Sequence, residues 1–251
     1  MKSFLEQLGE PGTCRFGTWV KLTTPETMEM LARVGFDFIV VDMEHAPHTF
    51  ETAYRCIVQA QGLGMKALVR LPDDQGAYVQ RILDSGADGV LIPRVRHAED
   101  ARACIDGMRF SPLGSRGLGI TSRAGHWGLK STPDYVRHGN TMVFRGVQLE
   151  DVDALEQAAQ ILSVDGVNAA FVGPGDLALS SGKPASHPDN VLLIDRLLEL
   201  CRQRAIPCGT AVGDAAAARQ ARDRGFSFVM VSNDASIFAK AAAALAQELH
   251  S

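Results

Sequence analysis

The chain has 251 residues, of which 46% are hydrophobic and 22% are charged, and its formal net charge is −4. This composition is typical of a water-soluble globular protein with enough apolar side chain to form a core without disulfide or metal support. The slight acidity, with basic residues scattered along the chain, argues against a nucleic-acid partner.

The sequence contains no predicted membrane or export segment. The first residues lack an apolar run of signal-peptide length, and no later stretch approaches the roughly 20 apolar residues of a transmembrane helix. The five cysteines are widely spaced and include no CxxC pair, which favours reduced thiols. We therefore expect a cytoplasmic protein that does not contact membranes.

One unit recurs along the chain: a short apolar, β-branched run, then a Gly or polar cluster, then a helical stretch. The predicted strands, in chain order, are residues 15–19, 36–42, 66–71, 89–93, 142–149, 166–172, 207–211 and 227–232. Helices are predicted between them, for example at 24–34, which opens with Thr-Pro, and at 49–63, which precedes a glycine. The even composition, without a linker, predicts a single domain over residues 1–251.

Eight strands alternating with helices fit either a (β/α)8 barrel or a doubly wound open sheet. The glycine-rich GxGxxG fingerprint of the doubly wound dinucleotide-binding fold is absent after the first strand. Polar residues follow nearly every predicted strand instead of gathering at one crevice. This distribution favours an α/β fold of the TIM-barrel type, in which all strands end at one mouth.

Several common catalytic motifs are missing from the sequence. There is no GxSxG elbow, Walker A loop or HExxH helix, which argues against the common serine-hydrolase, nucleotide-binding and zinc-protease classes. The six lysines are expected in loops, in helices or at the amino end of a strand. A lysine Schiff base is therefore not expected, because it needs an amine inside the site.

Two acidic residues stand out at the predicted mouth: Glu150 ends the fifth strand, and Asp176 follows the sixth. Two carboxylates on adjacent strands, without a His or Cys partner, predict an open, oxygen-only site for Mg²⁺ or Mn²⁺. The alternative is that each acid caps the helix that follows it. The Gly173-Pro174-Gly175 run favours a ligand site, because its exposed backbone N–H groups can meet an anion such as a carboxylate.

Candidate acid–base and cationic groups follow the first three strands. His45 comes after Asp42 and Glu44, and a neighbouring carboxylate can orient an imidazole and raise its basicity. Arg70 ends an apolar strand, so it requires either an anionic ligand or a fixed acid partner, with Asp42 or Glu44 as the candidates. Trp19, at the end of the first strand, is predicted to line the same mouth.

The segment 111–131 is polar, rich in glycine and too long for a plain connection. Long loops of this kind are commonly lids or binding loops, and we predict one at the barrel mouth. Arg116, Arg123, His126 and Trp127 are candidates for contacting the far end of a substrate. Contacts between subunits are the alternative role for these four side chains.

Five motifs carry a family resemblance. They are VDMEHAP, LVRLP, LDSGADGVLIPRV, QLE and FVGPGDLALSSG, at the second to sixth predicted strands. In order and spacing they resemble the HpcH/HpaI family of metal-dependent, class II pyruvate aldolases, from about residue 16 to the C-terminal helix. The chain departs from many members at Met43, where they have Gly, and at Gly175, where they have Ala.

The resemblance implies a fold, an assembly and a reaction. The fold is a (β/α)8 barrel of the phosphoenolpyruvate/pyruvate-domain type with a swapped C-terminal helix, in a homo-oligomer that is a trimer or a hexamer. The reaction is the reversible cleavage of a 4-hydroxy-2-oxo acid, through an enolate, to an aldehyde and pyruvate or a related 2-oxo acid such as hydroxypyruvate. A divalent metal ion, Mg²⁺, Mn²⁺ or Co²⁺, is the implied cofactor.

The resemblance also implies residue roles. Glu150 and Asp176 correspond to the metal ligands, and Gln148, Asp176 and the backbone of Gly175 bind the keto acid. Arg70 stabilises the enolate-like transition state, and His45 is the catalytic base.

Asp84 corresponds to the acid that raises the basicity of His45, with Asp42 as an additional candidate. Asp84 lies between a helix and the next strand, so we expect it at the bottom of the barrel. It is therefore predicted to act on His45 across a subunit contact.

Two rival functions remain at this point. One is a CoA-thioester lyase of the citrate-lyase β type, which resembles the same superfamily. That lyase needs basic residues for the CoA phosphates, and no cluster of that kind is evident. The other is a non-catalytic sugar-acid-binding protein. This rival is disfavoured, because binding a sugar acid does not require an acid–base His beside an Arg at the mouth.

Overall fold

The computed structural model, which describes residues 2–10, 12–73 and 78–250, contains a closed parallel barrel of eight strands. The strands are β1 Arg15–Val20, β2 Phe38–Asp42, β3 Lys66–Arg70, β4 Gly89–Ile92, β5 Phe144–Leu149, β6 Ala169–Val172, β7 Cys208–Val212 and β8 Phe228–Asn233. Each strand pairs with the next, and β8 closes the barrel on β1. The predicted TIM barrel is confirmed, and the open sheet is excluded.

Helices follow the strands around the barrel. They are α1 Phe4–Leu8, α2 Glu26–Arg33, α3 Phe50–Gly62, α4 Val79–Asp84, α5 Ala98–Asp106, α6 Thr132–Thr141, α7 Val152–Glu156, α8 Ala158–Ile161, α9 Pro174–Ser181, α10 Pro188–Gln203, α11 Ala215–Arg224 and α12 Asp234–His250. Predicted strands 36–42, 142–149 and 166–172 begin two or three residues too early. Their first residues belong to the turn that ends the preceding helix, as at Gly166 with φ 99°. None of the described helices is long and apolar enough to cross a membrane.

An aromatic layer fills the barrel interior, and glycines make room for it. The rings of Phe38, Phe144 and Phe228 project from their strands into the barrel interior and are fully buried there. A Cβ on Gly17 would lie 2.5 Å from the Phe38 ring, and a Cβ on Gly209 would lie 2.2 Å from the Phe228 ring. Large side chains on some strands therefore face glycines on neighbouring strands, which allows the interior to pack closely.

Helix α1 closes the bottom of the barrel, a feature that the sequence analysis did not predict. Its Phe4 is fully buried, with ring centroids 4.9 Å from Phe38, 5.5 Å from Phe144 and 6.2 Å from Phe228. Ser3 caps the helix by accepting a hydrogen bond from the Glu6 N–H. Phe4 and Leu8 of α1 thus complete the core from below.

We expect Phe4→Ala to lower the free energy of unfolding by about 3–5 kcal/mol, because it leaves a cavity among three aromatic rings. Urea denaturation followed by circular dichroism measures this change. Gln7→Ala, a truncation of a partly exposed side chain on the same helix, is the control and should change stability by less than about 0.5 kcal/mol. Equal effects of the two substitutions would show that Phe4 does not anchor the helix.

Segment 111–131 does not cover the mouth of its own barrel, so the predicted lid is wrong for the single chain. It includes a 3-10 helix, Arg123–Gly128, and it packs beside the turn between α4 and β4. There Arg123 Nη1 donates to the carbonyl oxygen of Ser85 at 3.0 Å. The segment joins α5 to α6, both of which lie between β4 and β5, and the connection that leads from helix back to strand lies at the amino ends of the strands, opposite the mouth.

Candidate active site

The mouth of the barrel holds a cavity of about 480 Å³ at the carboxyl ends of the strands. Its volume suits a small-molecule ligand. The predicted site residues among its lining are Trp19, His45, Arg70, Gln148, Gly175 and Asp176. Residues that are far apart in the sequence therefore meet at one place, as the barrel prediction required.

Arg70 is held rigidly at the floor of this cavity. It is 6% exposed, and it forms a two-point ion pair with Asp42, its neighbour across β2 and β3. Nε lies 3.0 Å from Oδ1, and Nη2 lies 2.7 Å from Oδ2. The guanidinium also lies over the Trp19 ring, 4.2 Å from its centroid. Of the two alternatives predicted for Arg70, the fixed acid partner is present.

Asp42 also binds the amine of Lys21, a residue that was not predicted to lie at the site. Lys21, one residue beyond β1, lines the mouth, and its Nζ lies 2.6 Å from Asp42 Oδ2. The expectation that all six lysines lie away from the mouth is therefore wrong. Burial opposes the charge on Asp42, but the hydrogen bonds and charge of Arg70, together with Lys21, hold its pKa well below its usual range. Because its Nζ is engaged by this carboxylate, Lys21 gives no support to Schiff-base chemistry.

Glu44 is a second carboxylate beside the mouth whose side chain is buried. Its Oε2 lies 3.2 Å from Arg70 Nη1, and its Oε1 lies 3.3 Å from Arg94 Nε. Burial raises the pKa of Glu44, although both arginines oppose the rise. Glu44 was predicted as a possible partner of Arg70 and His45. Lys21 and Arg94 were not assigned roles from the sequence, although each lies within two residues of the carboxyl end of a strand.

His45 lies at the rim, with 60% of its side chain exposed. The structure brings Glu44 next to the imidazole, with Oε2 3.5 Å from Nε2. Asp42 instead shapes the turn, because its Oδ1 accepts the backbone N–H groups of Glu44 and His45, each at 3.1 Å. Glu44, and not Asp42, is therefore the acid placed to orient the imidazole ring in the single chain.

Glu150 and Asp176 meet on one side of Gly173. A Cβ on this glycine would lie 3.4 Å from Glu150 Oε2 and 3.6 Å from Asp176 Oδ2, so both carboxylates occupy the space beside its backbone. Glu150 is 8% exposed, and burial, followed by the charges of Glu44 and Asp176, raises its pKa to about 7. The three acids thus repel one another, which favours a cation among them.

The capping alternative fails for Glu150. The cap of α7 is Asp151, whose side chain accepts a hydrogen bond from the Ala154 N–H. Glu150 instead accepts hydrogen bonds from the backbone N–H of Arg94 at 2.9 Å and from the Gln148 side-chain amide. Asp176 lies in the first turn of α9, whose cap is a glycine without a side-chain hydrogen bond.

The donor set fits a hard divalent cation. Gln148 Oε1 is a buried oxygen without a hydrogen-bond donor, and the carboxylates of Glu150 and Asp176 lie together beside Gly173. No group of three or more His, Cys, Asp or Glu side chains in residues 2–10, 12–73 and 78–250 has the spacing of a metal site. Two carboxylate ligands, with the remaining positions left to water and substrate oxygens, form an open site of the kind that Mg²⁺ and Mn²⁺ prefer.

Asp84 lies at the other end of the barrel, as predicted. It ends α4, and its Oδ1 accepts hydrogen bonds from Arg116 Nη2 at 2.6 Å and from the Tyr135 hydroxyl at 3.1 Å. Both partners belong to the 111–131 segment and to α6, below the strands. Asp84 and His45 are therefore not brought together within one chain.

The chain is similar to known proteins in both sequence and structure. Residues 15–241 match the family model described as HpcH/HpaI aldolase/citrate lyase. A 2-keto-3-deoxy-L-rhamnonate aldolase from Salmonella gallinarum is 35% identical over 245 residues, which cover 95% of this chain and 89% of that protein. The crystal structure of an HpcH/HpaI aldolase/citrate lyase family protein from Burkholderia cenocepacia has a TM-score of 0.91 at 31% identity, with both chains fully covered.

A citrate lyase beta subunit from M. tuberculosis, solved with oxaloacetate and magnesium, is a more distant relative. It has a TM-score of 0.58 at 14% identity, with 92% of this chain and 95% of that chain covered, and so shares the fold alone. The chain belongs to the HpcH/HpaI aldolase/citrate lyase family. The family predicted from the five motifs is confirmed.

Proposed function

We propose that the protein is a class II pyruvate aldolase, a carbon–carbon lyase that cleaves a 4-hydroxy-2-oxo acid to an aldehyde and pyruvate or a related 2-oxo acid such as hydroxypyruvate. The observation that carries the proposal is the meeting of Glu150 and Asp176 beside Gly173, at the edge of the cavity that Arg70 faces. The printed name of the Salmonella relative makes 2-keto-3-deoxy-L-rhamnonate the first substrate to test.

Glu150 and Asp176 would hold the divalent cation, and we expect Mg²⁺ or Mn²⁺, with Co²⁺ as a third candidate. When bound, the cation supplies Lewis-acid polarisation of the 2-oxo acid. Gln148 positions Glu150 through its side-chain amide, and its Oε1 faces the same region without a donor. The first turn of α9, with Gly175 at its start, offers backbone N–H groups to the carboxylate of the keto acid.

Arg70 offsets the negative charge that develops on the keto oxygen when the C3–C4 bond breaks. Asp42 and Trp19 fix the guanidinium before the substrate arrives, so no reorganisation is needed during the reaction. Burial strengthens the interaction, because little water screens a group that is 6% exposed.

His45 takes the proton from the C4 hydroxyl as the C3–C4 bond breaks, and C3 of the resulting enolate gains one proton to give the 2-oxo acid. In synthesis both transfers run in reverse: the 2-oxo acid loses a proton from C3, and the new alkoxide gains one from His45. Glu44, 3.5 Å from its Nε2, is placed to orient the ring and to stabilise the imidazolium that forms. The exposed position at the rim suits a group that meets the aldehyde half of the substrate. Trp19 lines the cavity and offers an apolar wall nearby.

The assay for this proposal couples pyruvate release to lactate dehydrogenase over a panel of 4-hydroxy-2-oxo acids. We expect pyruvate release that stops with EDTA and returns with Mn²⁺ or Mg²⁺. Citryl-CoA and related thioesters test the CoA-lyase rival in the same assay format, read as CoA release. Binding of sugar acids without turnover of any of the panel would support the non-catalytic rival and overturn the aldolase proposal.

We also propose that the active enzyme is a homo-oligomer, a trimer or a hexamer, with α12 swapped onto a neighbouring chain. Beyond Ser236 every residue of α12 is exposed, including Phe238 at 72% and Leu245 at 63%. Apolar side chains this exposed at one helix face favour burial against another copy of the chain. The same contact would carry Asp84 of one chain toward His45 of the next.

Phe238→Asp should therefore reduce the native mass measured by light scattering and lower the activity per chain. Leu192→Asp, which introduces the same charge at a half-exposed leucine of α10, is the control and should leave both unchanged. Asp84→Asn should lower activity at least tenfold, with its pH profile shifted, while leaving the mass unchanged. An active wild-type monomer would contradict both the swapped helix and the shared site.

A cytoplasmic location is part of the proposal. All five cysteines are described by the structure, and none forms a disulfide bond. Four of them are buried. Unoxidised thiols are typical of a reducing compartment.

A further inference from the structure

A second cavity, of about 440 Å³, lies at the amino end of the barrel, opposite the mouth. We call it the amino-end cavity. It lies between segment 111–131 and the turn from α4 to β4, and Asp88 and Val143, which directly precede β4 and β5, form part of its wall. None of the residues assigned to the active site lines it. Its ligand is therefore not the substrate bound at the mouth of the same chain.

The lining of the amino-end cavity is rich in positive charge. It includes Arg116, Arg123 and Lys130, against a single carboxylate, Asp88. Asp88 is already satisfied by other groups, because it accepts hydrogen bonds from the Gln61 side chain and a backbone N–H, each within 2.9 Å, and it pairs with a lysine outside the cavity. It does not neutralise the three cations.

Two of the cations have only neutral partners in the described part of the chain. Arg123 Nη1 donates to Gln61 Oε1 at 2.6 Å and to the Ser85 carbonyl at 3.0 Å. Lys130 Nζ donates to the Ala124 carbonyl at 3.2 Å, and burial lowers the pKa of Lys130. Both side chains are partly buried, and although the charge of Asp134 opposes the shift of Lys130, neither cation forms an ion pair with a described residue. An anionic ligand would supply that ion-pair partner.

Arg116 provides an independent sign of a ligand. It is 6% exposed, and its Nε is buried without a hydrogen-bond acceptor, although Nη2 binds Asp84. Buried N–H donors are nearly always paired in folded proteins, so an orphaned one beside a cavity indicates a missing acceptor. Because Arg116 lines the cavity, a ligand bound there is a candidate to supply the acceptor.

The backbone over the cavity is strained. His126 (φ 52°, ψ 43°) and Trp127 (φ 59°, ψ 32°) are consecutive non-glycine residues in the left-handed region. This conformation is unfavourable for bulky L-residues and is found mainly at ligand clamps and switch regions. Both side chains line the cavity, and Leu83 and Leu129 add apolar surface beside them.

We propose that the amino-end cavity binds a small organic anion, in which an oxyanion group meets Arg123, Lys130 and the Arg116 Nε–H while an apolar body lies against Trp127. The oxyanion is a carboxylate or a phosphate, which share this chemistry. The cavity is separate from the mouth of the same chain, although Arg116 also binds Asp84, and its test measures binding and does not depend on turnover.

Titration calorimetry of the metal-free, full-length protein at fixed NaCl tests the proposal with three probes. Benzoate and phenyl phosphate differ only in the oxyanion, and inorganic phosphate lacks the apolar body. We expect one site per chain for at least one of the two aromatic probes, and at least tenfold weaker binding of inorganic phosphate. Comparing the aromatic probes distinguishes the two anion sources. Absence of saturable binding of all three would overturn the proposal.

Variants locate the binding. Arg123→Gln and Lys130→Gln should each weaken binding at least tenfold. Arg137→Gln, which removes the same charge from the exposed face of α6, should change it by less than twofold. Arg123→Lys keeps the charge and should weaken binding less than Arg123→Gln does. Equal losses in all four variants would show a general surface-charge effect and contradict the proposal.

Fluorescence separates this site from the anion-binding groups at the mouth. The chain has two tryptophans, Trp19 at the mouth and Trp127 at the amino-end cavity. In a Trp19→Phe background the tryptophan emission comes from Trp127 alone. When this variant is titrated with the aromatic probe, the change in emission should give the same dissociation constant as the calorimetric titration. Calorimetric binding that leaves the Trp127 emission unchanged would place the anion elsewhere and overturn the proposal.

Discussion

Glu150→Gln is expected to reduce pyruvate release by at least about 100-fold, the largest loss of activity among the variants considered. The substitution replaces the carboxylate that we propose as a metal ligand by a neutral amide of the same shape, so it should weaken the proposed cation site without opening a cavity. It also removes the carboxylate that Gln148 and the Arg94 N–H position. The lactate dehydrogenase-coupled assay over a range of Mn²⁺ concentrations measures the loss in both rate and metal affinity.

The same substitution should stabilise the metal-free protein at neutral and alkaline pH. The pKa of Glu150 is raised to about 7 in the folded state by burial and by Glu44 and Asp176, and it lies near 4.5 in the unfolded chain. Between these values the folded state binds the extra proton, so wild-type stability falls relative to the variant as pH rises from about 4.5 to 7. The full difference is about 3 kcal/mol and should be complete by about pH 8.

Paired urea titrations of both proteins at pH 5 and pH 8, without metal, measure this difference. Saturating Mn²⁺ should then stabilise the wild type by about 2–3 kcal/mol and leave Glu150→Gln almost unchanged. Glu29→Gln, at an exposed side chain of α2, is the control that removes the same charge far from the mouth. If Mn²⁺ stabilised Glu150→Gln as much as the wild type, Glu150 would not be a ligand.

The barrel fold and the closeness of Glu150 and Asp176 were predictable, because both follow from the order of strands and helices along the chain. A parallel strand followed by a helix repeats a local pattern, and eight repeats close one barrel. Every strand then ends at the same mouth, so Glu150 and Asp176, which end or follow adjacent strands, had to lie near each other. No distance was needed for that inference, only the strand count and the position of each acid after its strand.

Features that depend on three-dimensional contact were not predictable in this way. Helix α1 is five residues long, too short for a periodic pattern, and the burial of Phe4 depends on three rings from distant strands. Lys21 and Arg94 reach the site through side chains whose direction the sequence does not show. The side of the barrel on which segment 111–131 lies does follow from chain order, since the segment comes after α5 and before β5, but its length and composition suggested a lid instead.

Arg70→Ala is expected to lower the free energy of unfolding by about 3–5 kcal/mol at pH 7, and to reduce the turnover number about 100-fold or more. The arginine is the two-point partner of Asp42 and also pairs with Glu44, so its loss leaves two buried carboxylates without their main cation. Urea denaturation measures the stability and the coupled assay measures turnover. Arg55→Ala, which removes an exposed arginine paired with Glu51 on α3, is the control and should cost no more than about 0.5 kcal/mol.

The pH dependence separates the charge effect from lost packing on Trp19. In the wild type the lowered pKa of Asp42 contributes stability above the ordinary carboxyl pKa near 4, and this contribution is lost as pH falls further. In Arg70→Ala, Lys21 and the backbone N–H groups of Glu44 and His45 remain to lower that pKa, but the largest contribution is gone, so less stability is lost in acid. The difference in free energy of unfolding between the wild type and Arg70→Ala should therefore be largest at pH 7 and should decrease toward pH 3. A difference of the same size at both pH values would show that Arg70 stabilises the mouth mainly by packing against Trp19 and not by pairing with Asp42.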